Sequence, residues 1–334
     1  MFFKGKNVLI IGGTGTIGQS LLKYILLEEP NLVRIFSRDE YKQFTLRNKM
    51  GNRKNLHFVL GDVRNCQSIF SAMQDIDYVF HAAAMKHVPA CEDNPYEAVL
   101  TNINGTFNVI KAAIAQNVKK VVITSSDKAI SPTNTYGATK FIAERLIPTN
   151  QPWNERSKTT FASVRFGNVM GSRGSVIPLF LKQISENKRI TVTDLKMTRF
   201  MMTLEQATKL TIKALKESKG GEVFVLKMPI IMLGDLVHVI LDEFGKKSKI
   251  KSDEIKIEEI GLRKGEKRYE ELMTFEESTK SLELEDMFII PGIEGNHDVY
   301  PYAKKTTFGT YSSQNQSPLT VEEIRKLLIS EQLI

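Results

Sequence analysis

Cysteine is scarce in this chain: Cys66 and Cys91 are the only two among 334 residues. Two thiols build neither a disulfide framework nor a thiolate zinc cluster, and a reducing cytoplasm suits that composition best. Cys91 has no base spaced to activate it, so no nucleophile is expected there. Long apolar runs are lacking too. No stretch approaches the roughly 18 residues of a membrane helix, and Met1 to Lys6 enters a strand without the apolar stretch of a signal peptide. A soluble protein with no membrane insertion is expected. The five histidines have no company of ligand-type side chains, which argues against a metal. Blocks of like charge are also missing. The net charge is +8, yet the basic residues are scattered and do not alternate with aromatics. Nucleic acid is therefore not the expected partner, whereas a phosphorylated small ligand is compatible.

What is present is a core-forming composition, 42% apolar, arranged as alternating strands and helices. Short apolar, β-branched runs occur at 7–11, 33–36, 56–60, 78–81, 121–124 and 161–165. Between them lie helical patterns such as 17–29, stopped by Pro30, and 101–116. This order predicts an α/β fold, a doubly wound parallel sheet of Rossmann type, over residues 1–166. Beyond Phe166 the pattern loosens into short strands, glycine turns and helices near 204–216 and 233–244, read as a smaller C-terminal α/β substrate-binding domain over 167–282. A polar tail, 283–334, closes with a helical pattern at 321–333.

Between the first strand and first helix stands Gly12-Gly13-Thr14-Gly15-Thr16-Ile17-Gly18. Glycines at this spacing allow a tight turn and let backbone approach a pyrophosphate, which a helix N-terminus then stabilises. The second strand ends Ser37-Arg38-Asp39. Ser37 and Arg38 suit a ribose 2′-phosphate, because a guanidinium grips phosphate in bidentate fashion. Asp39 argues the other way, as a ribose-diol acceptor or a surface partner of Arg38. NADP is the expected cofactor. Asp62 and Val63 follow the third strand and are candidates for the adenine; Ala82 and Ala83 follow the fourth and leave room for the cofactor.

Ser126-Asp127-Lys128 follows the fifth strand, where open α/β sheets place ligands. Tyr136 and Lys140 are spaced to share one helix face. The ammonium there is expected to lower the phenol pKa and make Tyr136 a base. A hydroxyl, an acid and an amine beside that pair imply several proton transfers, more than alcohol oxidation requires.

These motifs resemble extended short-chain dehydrogenases/reductases acting on nucleotide sugars. The likeness sharpens with Met85-Lys86-His87-Val88-Pro89, Ser126-Asp127-Lys128-Ala129, Asn168 to Val176, Met197-Thr198-Arg199-Phe200 and Gly261 to Lys267. Over residues 5–290 the chain is similar to the configuration-inverting UDP-N-acetylglucosamine 4,6-dehydratases of surface-glycan synthesis. The resemblance implies oxidation at C4, loss of water across C5 and C6, and hydride return to C6. It assigns Tyr136 to the C4 hydroxyl proton, Lys140 to the nicotinamide ribose, and Ser126 to the C4 oxygen. Lys128 is the implied C5 base and Asp127 the implied acid, so Lys128 must be neutral and Asp127 protonated, with both pKa values pushed far from solution. Arg173, Arg199 and Arg263 with Asn168 are the implied clamp on the UDP moiety, Glu266 the acceptor for a ribose hydroxyl, and Lys86 a neighbour of the sugar, unless Lys86 pairs with Glu92.

Two other functions compete. A UDP-hexose C4-epimerase shares the fold, the cofactor and Tyr136, but has no use for the Asp127-Lys128 pair. A non-catalytic NADP-sensing module keeps the glycine loop but not the Tyr-Lys pair. A homo-oligomer is expected from the superfamily likeness, with Phe141, Ile142 and Leu146 as contributors.

Overall fold

The computed structural model describes residues 1–147, 158–172, 174–248, 254–292, 299–307 and 309–334. Its first half alternates β1 (Asn7–Ile11), α1 (Thr16–Leu26), β2 (Leu32–Ser37), α2 (Glu40–Met50), β3 (Leu56–Leu60), α3 (Cys66–Ala72), β4 (Tyr78–His81), α4 (Val88–Asp93), α5 (Pro95–Ala98), α6 (Gly105–Ala115), β5 (Lys120–Thr124), α7 (Thr135–Arg145) and β6 (Thr160–Arg165). There follow β7 (Asn168–Val169), α8 (Val176–Asn187), β8 (Arg189–Val192), β9 (Thr198–Met202), α9 (Leu204–Glu217), β10 (Glu222–Leu226), β11 (Ile230–Met232), α10 (Leu233–Lys247) and β12 (Lys256–Glu259). The chain ends with β13 (Glu271–Met273), α11 (Phe275–Lys280), β14 (Leu282–Glu283), β15 (Met287–Ile290), β16 (Lys304–Lys305), β17 (Tyr311–Ser312) and α12 (Val321–Ser330).

The main sheet runs β3-β2-β1-β4-β5-β6-β10 with every pair parallel, then continues antiparallel through β15, β14 and β16. The order reverses between β1 and β4, which opens a crevice at the carboxyl ends of those strands. Strand alternation explains its two cores. Val8 and Ile10 of β1 point to one apolar face, Leu9 and Ile11 to the other, and all four are fully buried. The chain leaves this sheet after β6 and rejoins it at β10 and β15, so residues beyond 166 complete the layer that begins at Asn7. A third core lies among α8, α10 and α12, where Phe180, Ile184, Val237, Ile240, Ile324 and Leu328 pack together. It carries the small sheet β7-β9-β11.

The helix expected from residue 101 begins differently. Val99–Asn104 forms a π-helical turn and α6 starts only at Gly105. Such turns recur at functional sites. Here Asn102 in the π turn accepts from Met85 N at 2.8 Å and donates to Met85 O at 3.0 Å and Thr139 Oγ1 at 2.9 Å. Of the apolar residues expected to support an oligomer, Ile142 is exposed, Phe141 carries the Arg145 guanidinium 4.9 Å over its ring, and Leu146 packs against the core.

Arg165, at the end of β6, is only 2% exposed. Its guanidinium donates to Glu144 of α7 at 2.7–3.1 Å, to Glu277 of α11 at 2.8 Å, and to Leu272 O. This triad ties α7 to the second half of the chain. Removing its cation strands two carboxylates among apolar neighbours, a loss of about 3–5 kcal/mol. Arg165→Leu should therefore lower the urea midpoint by that equivalent, measured by circular dichroism.

Candidate active site

The glycine loop after β1 is shaped by close approach. Gly12 has φ +82°, and a Cβ there would lie 2.7 Å from Ala83 N. At Gly18 a Cβ would lie 2.5 Å from Gly12 O, so α1 sits directly on the loop. Thr14, Gly15, Thr16 and Ile17 line the cleft with them. Gly15 caps α1 without a side-chain bond, leaving the first-turn N–H groups for an anion. These features fit a dinucleotide pyrophosphate.

At the end of β2, Arg38 is exposed and borders the cleft with Lys42. Asp39 caps α2 through Lys42 N at 2.9 Å and pairs with Lys42 Nζ at 2.6 Å, so its carboxylate serves the helix. The Ser37 hydroxyl is buried and accepts from Gln43 Nε2 at 3.0 Å. Asp62 is engaged by the Arg64 guanidinium at 2.6 and 2.9 Å and by its N–H at 2.9 Å. Val63 is buried beneath Gly105 of α6. Ala82 lines the cleft, and Ala83 backs Gly12.

The catalytic candidates converge at the ends of β5 and α7. Ser126 Oγ donates to Asp127 Oδ1 at 2.8 Å and also bonds the Tyr136 hydroxyl. Lys128 Nζ lies 3.1 Å from Asp127 Oδ1 and 3.3 Å from Glu270 Oε1. All three residues line the cleft, and Lys128 is the most open, its side chain 21% exposed against 1% and 3% for Asp127 and Glu270. Burial alone would lower the Lys128 pKa, but Asp127 and Glu270 outweigh it and hold the ammonium well above its ordinary value. This corrects the expectation of a neutral Lys128. Burial raises the Tyr136 phenol; the Ser126 hydrogen bond and the Lys128 charge pull it back down. Lys128 is thus a cation acting on the phenol, beside the Lys140 expected there. Lys140 donates to Thr124 O at 2.7 Å, and burial lowers its pKa to about 8.

The substrate-side candidates divide. Lys86 Nζ reaches Ser172 Oγ at 3.5 Å, while Glu92 accepts from Thr135 N, so the Lys86–Glu92 alternative is not formed. Asn168 and Arg263 line the cleft, and Arg173 lies outside the described residues. Arg199 is buried and spends its donors on Thr198 O, Arg268 O and Lys267 O, with Glu266 at 3.6 Å and Glu270 at 3.9 Å. In this arrangement its guanidinium organises the 266–270 loop rather than presenting free donors to a diphosphate. Glu266 accepts from Arg263 N at 3.2 Å.

Sequence reasoning missed Glu270, Asn102 and Gly137. Glu270 is 2% exposed, and burial raises its pKa against the pull of Lys128. It stands immediately before β13, and no local pattern marks it as part of the site. Loop 261–270 is pinned by Thr133 Oγ1 and Asn134 Nδ2 donating to Gly265 O at 2.8 and 3.0 Å, and by Lys267 Nζ on Ile130 O at 2.9 Å. The whole cleft measures about 810 Å³, near the upper end for small-molecule sites, which suits an extended ligand.

Comparison with known proteins places this geometry. A family described as polysaccharide biosynthesis protein matches residues 8–292. The chain is similar to the solved structure of Pen from Bacillus thuringiensis, 61% identical with a TM-score of 0.94, covering 100% of both chains. It is 43% identical to an uncharacterized membrane protein of Methanocaldococcus jannaschii over 98% of this chain and 96% of that protein. It is 42% identical to a UDP-glucose 4-epimerase of Rickettsia bellii, again over 98% and 96%. Among the described residues no helix is long and apolar enough to cross a membrane.

A Cβ at Gly137 would lie 2.1 Å from Lys128 O. Gly137→Ala should push α7 off the 127–129 turn, destabilising the fold by about 1–3 kcal/mol and separating Tyr136 from Ser126. Thermal unfolding with parallel turnover assays should show activity falling further than stability alone accounts for.

Proposed function

This chain belongs to the polysaccharide biosynthesis protein family, among the nucleotide-sugar-modifying extended short-chain dehydrogenases/reductases, and on that footing we propose that it is a C5-inverting UDP-N-acetylglucosamine 4,6-dehydratase. The observation that carries the reading is the Asp127–Lys128 pair at 3.1 Å beside the Tyr136–Ser126 pair. Exchange of C4 configuration needs proton handling at one oxygen. Two further proton-transfer groups in contact with that oxygen's partners are surplus to it, and elimination uses both.

In this reading residues 1–166 hold the cofactor, 167–282 hold the nucleotide sugar, and 283–334 buttress the second half. Gly12 to Gly18, with Arg38, Ala82 and Lys140, would hold NADP. When bound, the nicotinamide supplies the hydride acceptor for C4 and the donor for C6. Tyr136 takes the C4 hydroxyl proton while Ser126 holds the C4 oxygen. The resulting ketone acidifies C5, Lys128 takes the C5 proton, and Asp127 protonates the departing C6 hydroxyl. Asn168, Arg173, Arg263 and Lys86 line up the UDP-sugar, with Glu266 for a ribose hydroxyl. NADP is favoured because Asp39 is committed to Lys42, leaving Arg38 at the cleft mouth.

The name of the Rickettsia relative favours a second reading, a UDP-hexose C4-epimerase. Incubation with UDP-N-acetylglucosamine in deuterated water separates the two. The dehydratase gives a 4-keto-6-deoxy sugar deuterated at C5, seen by NMR; an epimerase leaves C5 unlabelled and C6 oxygenated, which would end the proposal. Lys128→Met should cut C5 exchange by about 10²-fold or more, whereas Asp127→Asn should retain exchange yet form little product. Titration calorimetry should show Arg38→Asp weakening NADP at least about tenfold more than NAD.

A further inference from the structure

The dehydratase reading asks Lys128 to act as a base, but it lies as an ammonium between the Asp127 and Glu270 carboxyl groups. Its proton must first go elsewhere. Asp127 is engaged as the acid for the C6 hydroxyl and cannot also be the acceptor. Glu270 is the remaining neighbour, a carboxylate with no part in the mechanism above.

Its setting is built rather than incidental. Glu270 N donates to Ser313 Oγ at 3.0 Å, and Ser313 N donates to Glu270 O at 2.9 Å. The next residue begins β13, which pairs with the tail strand β17. Arg199 and Lys267 face the carboxylate from β9 and from its own loop, and Asp127 and Lys128 face it from the turn after β5. Two oxygens in this cluster, Asp127 Oδ2 and Glu270 Oε2, are buried without a hydrogen-bond partner among the described residues. Each is therefore free to carry a proton. Lys128 Nζ touches both carboxylates, so a proton passes from one to the other without leaving the cluster.

We propose that Glu270 is the proton acceptor that converts Lys128 into a base, and that Asp127, Lys128 and Glu270 form a closed relay acting on C5 and C6. The inference rests on the dehydratase reading. As the sugar seals the cleft, the ion pair loses its remaining solvent and the neutral form gains ground. The start is Asp127 as the acid, Lys128 as the ammonium and Glu270 as the carboxylate, and the Lys128 ammonium then gives its proton to Glu270. The freed amine takes the C5 proton, the C5–H electron pair forms the C5=C6 bond, and the C6–O bond breaks with its pair on oxygen. The leaving hydroxyl takes the Asp127 proton and departs as water. Lys128 is again an ammonium, Glu270 a carboxylic acid and Asp127 a carboxylate. Passage of one proton from Glu270 through Lys128 to Asp127 restores the start, and the proton lost from C5 balances the one lost in water. Glu270 touches no substrate atom in this scheme and acts through Lys128.

The relay has a pH signature. If Lys128 lost its proton to water, its free amine would grow about tenfold per pH unit, because the pKa lies above the working range. If Glu270 takes the proton, the active form has the same net protonation as the resting ion pair, and the rate is level once Glu270 is ionised. The experiment measures washout of C5 deuterium from the preformed 4-keto-6-deoxy sugar nucleotide between about pH 7 and 9, with exchange in the absence of enzyme subtracted. The preformed ketone makes C4 oxidation unnecessary. A level profile for the native enzyme is expected; Glu270→Gln should be at least tenfold slower near pH 7, with a rise of about tenfold per unit. Glu270→Asp, which keeps a carboxylate, should be slower but level. A tenfold-per-unit rise in the native enzyme, or a level profile in a folded Glu270→Gln variant, overturns the relay. If Glu270→Gln does not fold, the native and Glu270→Asp profiles decide. Failure of the native enzyme to form the 4-keto-6-deoxy product from UDP-N-acetylglucosamine overturns the dehydratase reading itself, whereas normal product with the wrong profile overturns only Glu270.

Discussion

The Lys128 ammonium, held 3.1 Å from Asp127 and 3.3 Å from Glu270, is the interaction around which this molecule is arranged. Each carboxylate is almost wholly buried, and a buried charge persists only with a partner. Lys128 supplies that partner to both, and its own charge depends on them in return. The phenol of Tyr136 answers to the same cation, since Lys128 offsets part of the burial that raises its pKa. One ammonium therefore faces the Tyr136 phenol and two buried carboxyl groups at once. Its local contacts come from four separated stretches: the turn after β5, the start of α7, β9, and the loop before β13.

Holding those stretches together explains features that otherwise look unrelated. Gly137 lets α7 lie against the Lys128 carbonyl. The Arg165 triad locks the same helix to α11, two residues beyond β13. Loop 261–270 is fastened to Thr133 and Asn134 at its middle and to the tail at its end, through Ser313. Arg199 spends its donors inside that loop, which keeps Glu266 and Glu270 in register. The tail also reaches the other side of the cleft, where Leu333 lies against Gly171; His87, ahead of α4, lies against Gly174 beyond Ser172. Residues far apart in sequence thus share one task, the placement of a few oxygen and nitrogen atoms.

Much of this was legible before any coordinates. Short apolar runs mark the strands, with β1, β3 and β4 matching residue for residue; β1 and β4 are largely buried on both faces, whereas β3 is the edge strand with His57 and Leu60 exposed. The glycine loop, the Ser126–Lys128 triplet and the Tyr136–Lys140 helix were found by local spacing and lie together. Effects that arise only on folding were not legible. Nothing local shows that Glu270 arrives beside Lys128, since the tail positions it. The charge on Lys128 follows from that arrival, which is why a neutral amine was expected. Arg199 looked like a phosphate ligand in sequence, but backbone carbonyls from residues 267 and 268 claim its donors. Asp39 resisted assignment until its capping of α2 was visible.

Whether such a site epimerises or dehydrates turns on which sugar carbon faces which side chain. In the proposed reading Tyr136 and Ser126 serve oxidation at C4. In that reading Lys128 and Asp127 carry the elimination, which needs C5 and C6 beside them. A crystal structure of the Tyr136→Phe protein with UDP-N-acetylglucosamine bound would show this directly. The account predicts the C5 hydrogen facing Lys128 Nζ and the C6 hydroxyl within hydrogen-bond distance of Asp127. A sugar whose C5 and C6 point away from both, with only C4 near the Ser126 hydroxyl, would contradict it.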